Sequence, residues 1–197
     1  MRFSFVTGLM LVVLSGCTPR HMVKVVNCPD IRTIHPPAGK SALVIAETSS
    51  FENYDLEDNR DIHNYLDRKF IGTIRSFSFL VTTVDPGEHY VTSNGENNET
   101  ILLNFRPGIT YYLKQERSMG FSRPRTRYIQ ANGDRVFNDM KEKYSCYEPD
   151  THDPGVELDA DKFKEIVAAY LKKKGNIPLN EVEPSKFIKW EDNNSLN

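Results

Sequence analysis

The stretch Ser76-Phe-Ser-Phe-Leu-Val-Thr-Thr-Val-Asp-Pro-Gly87 decides the fold. Phe77, Phe79 and Val81 recur at every second position. A strand sends alternate side chains to opposite faces, so this spacing lays an apolar row along one side of an extended segment. Asp85-Pro86-Gly87 then supplies a turn: proline fixes φ at the second position and glycine accepts positive φ at the third, a type II pattern. Downstream, Glu88 to Thr92 leads back and Asn94-Gly95 is a hairpin dipeptide. Thr100 to Phe105 reads as a strand, Arg106-Pro107-Gly108 as a turn, and Ile109 to Lys114 as the strand after it. Upstream, Ser41 to Ala46 is a short apolar run, and Ile62–Leu66 and Phe70–Ile74 flank a polar turn at Asp67-Arg68-Lys69. Pro86-Gly-Glu-His-Tyr90 and Pro107-Gly-Ile-Thr-Tyr111 echo each other, each launching a strand that carries a ring. Several short strands at regular spacing, with turn chemistry between them, predict a sandwich. Nine Tyr and eleven Phe in 197 residues agree with a β-rich core.

After the strands the period changes. Val136, Phe137, Met140 and Tyr144 lie on one helical face, which predicts a short helix closing the domain before Cys146. Glu148 to Gly155 is turn-rich. Asp159 to Lys174 reads as a helix, with Phe163, Ile166, Val167, Tyr170 and Leu171 on one stripe, Asp159 or Asp161 as cap, and Lys172-Lys173-Lys174 at the negative end of its dipole. The stripe is expected to pack on the sandwich. The other use, docking on a partner or a membrane surface, meets a polar face that mixes Asp161, Lys162, Lys164 and Glu165. The expected fold class is mainly β: an antiparallel β-sandwich with one short closing helix and a C-terminal amphipathic helix, followed by a polar tail that carries Phe187, Ile188 and Trp190.

The first residues carry a different message. Arg2 precedes an apolar run from Phe3 to Leu14, too short to span a bilayer, where about 20 residues are needed. The run ends at Leu14-Ser15-Gly16-Cys17, which resembles the lipobox of bacterial lipoproteins. The resemblance implies diacylglycerol on the Cys17 thiol, cleavage before Cys17 and acylation of the freed amine. One acyl chain binds a bilayer marginally and two or more hold it. An ordinary secretory signal with a chance cysteine is the alternative. Thr18 stands where an Asp often retains such proteins in the inner membrane, so the outer membrane is favoured. The expected organisation is a signal peptide over 1–16, a Pro-rich tether over 17–40, a sandwich over 41–146, and a C-terminal helix and tail over 147–197. With Cys17 acylated, Cys28 and Cys146 are left in an oxidising compartment, and an even remainder suggests one disulfide; two unpaired thiols or pairing with another chain are the alternatives.

Ala42-Leu-Val-Ile45, Tyr65-Leu-Asp-Arg-Lys-Phe-Ile-Gly72, Asp85-Pro-Gly-Glu-His89 and Pro107-Gly-Ile-Thr-Tyr-Tyr-Leu113 follow one another in an order that resembles a bacterial family of small lipoproteins of unknown function. Members carry a strand pair ending in Gly, a Pro-Gly-x-His turn and a Gly-x-x-Tyr-Tyr strand. The resemblance spans about Ser41 to Met140 and implies a β-sandwich behind a lipobox, with no assigned catalytic residues. Asp67-Arg68-Lys69 departs from it, since the family's turn carries Gly there.

The search for chemistry gives little. A net charge of −2 offers no whole-protein field for nucleic acid. Ala38-Gly39-Lys40-Ser41 mimics the end of a P-loop, but its first glycine would fall on Ile34. The five histidines are scattered, no metal-ligand spacing appears, and no cofactor is expected. His89 follows Glu88, and neighbours on a strand face opposite ways. Arg123, Arg125 and Arg127 alternate, so a strand would line them on one face, where an anionic glycan, a lipid headgroup or an acidic envelope partner could answer them. The plain alternative is a solvated loop balanced by Glu52, Asp55, Glu57 and Asp58. The expected function is a lipid-anchored, non-catalytic interaction or scaffolding module facing the periplasm, bound to the membrane through Cys17. The alternative is an envelope hydrolase whose site forms only in three dimensions.

Overall fold

A computed structural model describes residues 21–48, 62–118, 120–121, 124–140, 144–153 and 155–174. Ten strands form two sheets packed face to face. The larger sheet holds β1 (Met22–Lys24), β2 (Ser41–Glu47), β5 (Ser78–Val84), β8 (Thr110–Ser118), β9 (Arg125–Ala131) and β10 (Ser145–Pro149), in the order β1-β10-β5-β2-β8-β9. The smaller holds β3 (His63–Leu66), β4 (Lys69–Thr73), β6 (Gly87–Asn94) and β7 (Asn98–Phe105), in the order β4-β3-β6-β7. The fold is thus a β-sandwich, and most pairs are antiparallel. Two in the larger sheet are parallel: β2 with β8 and β10 with β5.

The apolar run at Ser41 becomes the central strand β2, buried at all seven positions. Leu43 and Ile45 face the smaller sheet and join Leu80, Val91, Phe105, Tyr111 and Leu113 in the main core. Val44 and Ala46 face the other way, onto Phe79, Ile31 and the helix α1 (Gly133–Met140), through Val136 and Met140. A strand covered on both faces has no polar side to alternate, so its sequence reads as one apolar block. Of the predicted Phe row, Phe79 and Val81 share this second cluster, whereas Phe77 precedes β5 with φ at 52°.

The two Pro-Gly turns do not return a strand along its own sheet. Each lifts the chain from one sheet to the other, from β5 to β6 and from β7 to β8. The first is more open than a type II turn, with φ of 129° at Gly87 against 80° at Gly108. The Tyr111 hydroxyl ties the second corner, donating to the Asn104 carbonyl at 3.0 Å and accepting from the Arg106 amide at 2.8 Å. Asn94-Gly95 opens a hairpin, β6 to β7.

The stretch read as a tether is built into the domain from His21 onward. β1 pairs with β10, Met22 is buried against Gly72, Ile31 is buried, and the Arg32 guanidinium stacks over Phe137 at 3.8 Å. The boundary expected after Cys146 falls inside β10. The C-terminal helix α2 (Ala160–Lys174) lies on the outer face of the smaller sheet, with Phe163 and Tyr170 edge-on to Tyr90 and Ile166 buried. Asp159 caps it, accepting from the amides of Asp161 at 2.9 Å and Lys162 at 3.0 Å, and these bonds hold its carboxyl below the usual carboxylate range. The stripe is narrower than its periodicity: Leu171 is exposed. The tail with Phe187, Ile188 and Trp190 lies outside the described residues.

Candidate functional site

Cys17 and the whole Leu14–Cys17 motif lie outside the described residues, as does Arg123. Cys28 and Cys146 are joined by a disulfide with 5.6 Å between Cα atoms, a bridge across 118 positions of sequence. Cys146 sits in β10, and its carbonyl accepts from the Val25 amide at 3.0 Å. The bridge therefore fastens the chain just beyond β1 to the strand β1 pairs with.

Arg125 and Arg127 project from one face of the edge strand β9, and both are answered within the chain. Arg125 Nε donates to Glu96 at 2.9 Å and Arg127 Nη2 to Glu116 at 2.6 Å. The Glu116 carboxylate beside it raises the Arg127 pKa. Their partners are thus Glu96 and Glu116; Glu52, Asp55, Glu57 and Asp58, the acids expected to balance them, lie outside the described residues. Charged side chains on an edge strand also deter pairing with a second sheet. The free edge of β9 is closed at Thr126 by Asn97, whose Nδ2 donates to the Thr126 carbonyl at 2.9 Å and whose Oδ1 accepts the Thr126 amide at 2.7 Å. The asparagine amide replaces one rung of a missing neighbour strand.

Beside this edge, β7 and α2 enclose a groove of about 270 Å³, lined by Asn98, Glu99, Thr100, Lys162, Ile166 and Lys173 among others. Charges of both signs face it, and Lys173 reaches Glu99 at 3.5 Å. It suits a polar ligand of mixed charge better than an apolar one.

One histidine–carboxylate pair was not legible from sequence neighbours. His89 Nδ1 lies 2.8 Å from Asp67 Oδ2, 22 residues away, and Asp67 Oδ1 accepts the Tyr90 amide at 2.9 Å. Asp67 holds φ of 55°, a conformation glycine adopts freely and Asp tolerates. The carboxylate offsets the strain with two hydrogen bonds. The second ring nitrogen of His89 lies 3.1 Å from the Asp85 carbonyl. With one nitrogen on a carboxylate and the other on a carbonyl, the ring splints two turns and presents no nitrogen to a substrate.

The sandwich interior is apolar at one end and polar at the other. Buried Glu47 meets Arg117 Nε at 2.5 Å, and Arg117 also donates to the Ile74 carbonyl. The Tyr128 hydroxyl donates to Asn64 at 2.6 Å, and its burial pushes its pKa well up. Gln115, between them in the sheet and 0% exposed, has no partner for either amide atom among the described residues. A buried polar amide left unpaired costs stability. Among the described residues no helix is long and apolar enough to cross a membrane, and no group of three or more His, Cys, Asp or Glu is placed to hold a metal ion. No family model matches the chain, and neither does any curated protein or solved structure.

Proposed function

We propose that this chain is a bacterial envelope lipoprotein, anchored through acylated Cys17 and serving as a non-catalytic interaction or scaffolding module on the periplasmic side, at the outer rather than the inner membrane. The observation that carries the reading is Leu14-Ser15-Gly16-Cys17 at the end of a short apolar run. A disulfide between Cys28 and Cys146 fits an oxidising compartment. The resemblance to small lipoproteins of unknown function points the same way. Arg125 and Arg127, with the groove beside them, are the surface on which an acidic envelope partner or an anionic glycan or headgroup would compete with Glu96 and Glu116.

Expression in a bacterial host tests the anchor. The mature N-terminal peptide is expected to begin at Cys17 with the added mass of diacylglycerol, and Cys17→Ala to move the protein from the membrane to the soluble envelope fraction. A mature chain that keeps residues 1–16 with an unmodified thiol overturns the reading. Charge reversal at Arg125 and Arg127 is expected to weaken binding of the delipidated protein to isolated envelope fractions; unchanged binding removes the arginine surface from the proposal.

A further inference from the structure

Five large apolar side chains stand exposed among the described residues; two of them, Val23 and Val26, follow directly where the chain enters the fold, and a third, Val156, is next to Gly155. Val23, in β1, is 43% exposed, Val26 94% and Val156 77%. β1 is the edge of the larger sheet and β4 an edge of the smaller, and the two edges are stacked: Met22 packs on Gly72, and His21 meets the Phe70 ring edge-on at 5.9 Å. Gly155 lies directly on the same Phe70 ring, which brings Val156 to this side. His21 Nδ1 lies 2.7 Å from Asp153, joining the entering chain to the segment that carries Val156.

The length of chain ahead of this point sets how far it can stand from a bilayer. Only three residues, Thr18, Pro19 and Arg20, separate Cys17 from His21, and those four chain steps span at most about 14 Å. Had all of 17–40 been free, the reach would be about 80 Å. Three contacts keep the leash short: the β1–β10 pairing, Met22 in the notch over Gly72, and the disulfide just beyond.

We propose that the stacked β1/β4 side of the sandwich rests on the phospholipid surface, with Val23, Val26 and Val156 turned towards it. The proposal rests on acylation of Cys17. Lys24, Arg68 and Lys69 lie on this side, but Glu148, Asp153 and Glu157 offset them, Glu157 lying 3.7 Å from Arg68. The anchor therefore imposes the contact; charge does not recruit it, and the orientation responds only weakly to salt. The opposite edge of the larger sheet, with Arg125, Arg127 and the groove by α2, is left facing the periplasm for a partner.

The test uses the full acylated chain in phosphatidylethanolamine–phosphatidylglycerol vesicles that contain brominated phospholipid. In a Trp190→Phe background, Val156→Trp is compared with Phe121→Trp, which lies beyond β8 towards the far edge and is 101% exposed. Both sites are on the surface, so neither substitution disturbs packing. The Val156→Trp protein is expected to lose at least twice the fraction of fluorescence that the Phe121→Trp protein loses. Ten Gly/Ser residues inserted after Thr18 are expected to erase the difference while the acyl mass stays. Equal quenching at the two positions in protein of acylated mass overturns the orientation and leaves the lipoprotein reading standing. Absence of the acyl mass overturns both. A difference that survives the insertion overturns the short leash as its cause.

Discussion

Gly72 shows how one residue can hold a terminus. Its φ of 140° is one L side chains rarely adopt, and a Cβ there would lie 2.7 Å from the Met22 side chain and 2.9 Å from that of Leu80. Gly72→Ala is expected to cost about 1–3 kcal/mol in urea unfolding, through overpacking, and to loosen β1 first. Gln115 makes the opposite case. Replacing its unpaired buried amide with an apolar group of similar shape is expected to be neutral or stabilising, so Gln115→Leu should raise the urea midpoint; a loss of more than about 1 kcal/mol would mean the amide is satisfied in solution. Tyr112 gives a pH signature. Burial pushes its hydroxyl up to about 12, and that hydroxyl donates to the Ile31 carbonyl at 2.9 Å. Below pH 10 both the folded and unfolded states keep the proton. From 10 to about 12 only the unfolded state releases it, so stability falls as pH rises through that window. Tyr112→Phe is expected to flatten this part of a stability-against-pH curve.

Elements differ in how plainly the sequence declares them. β5, β7 and the β6–β7 hairpin follow from alternation and turn residues, because their neighbours are local or their faces differ. α2 follows from a 3.6-residue period and a capping Asp. β1 and β10 were not legible. Three and five residues long, they carry no period of their own, and β10 is specified by a parallel partner almost seventy positions earlier. The Pro-Gly turns were found as turns but not as sheet crossings, since a turn's residues fix its local angles and not the partner of the next strand. Among site residues, the alternation of Arg125 and Arg127 was readable, while their acids Glu96 and Glu116 and the His89–Asp67 pair depend on register between distant strands. α2 also yields a prediction at its own scale. Ile166 is the one buried side chain among those described in α2, so Ile166→Ala is expected to cost about 2–4 kcal/mol locally and to speed amide hydrogen exchange throughout α2, leaving exchange in β2 unchanged.

At the scale of the molecule, the disulfide closes most of the domain into one loop. Cys146→Ser is expected to lower stability by about 2–5 kcal/mol, read as a lower denaturant midpoint matched by the wild type under reductant. The bridge has a mechanical meaning too. If Cys17 carries the fatty acids proposed above, any tug that separates domain from bilayer enters at His21 and bears on the seam between β1 and β10. Those few rungs yield first, and the slack then stops at Cys28, where a covalent link passes the force into Cys146 beside β5. A pull on the β1 border thus cannot unravel the larger sheet, and the protein fails as a brake does, by a fixed travel and then a hard stop.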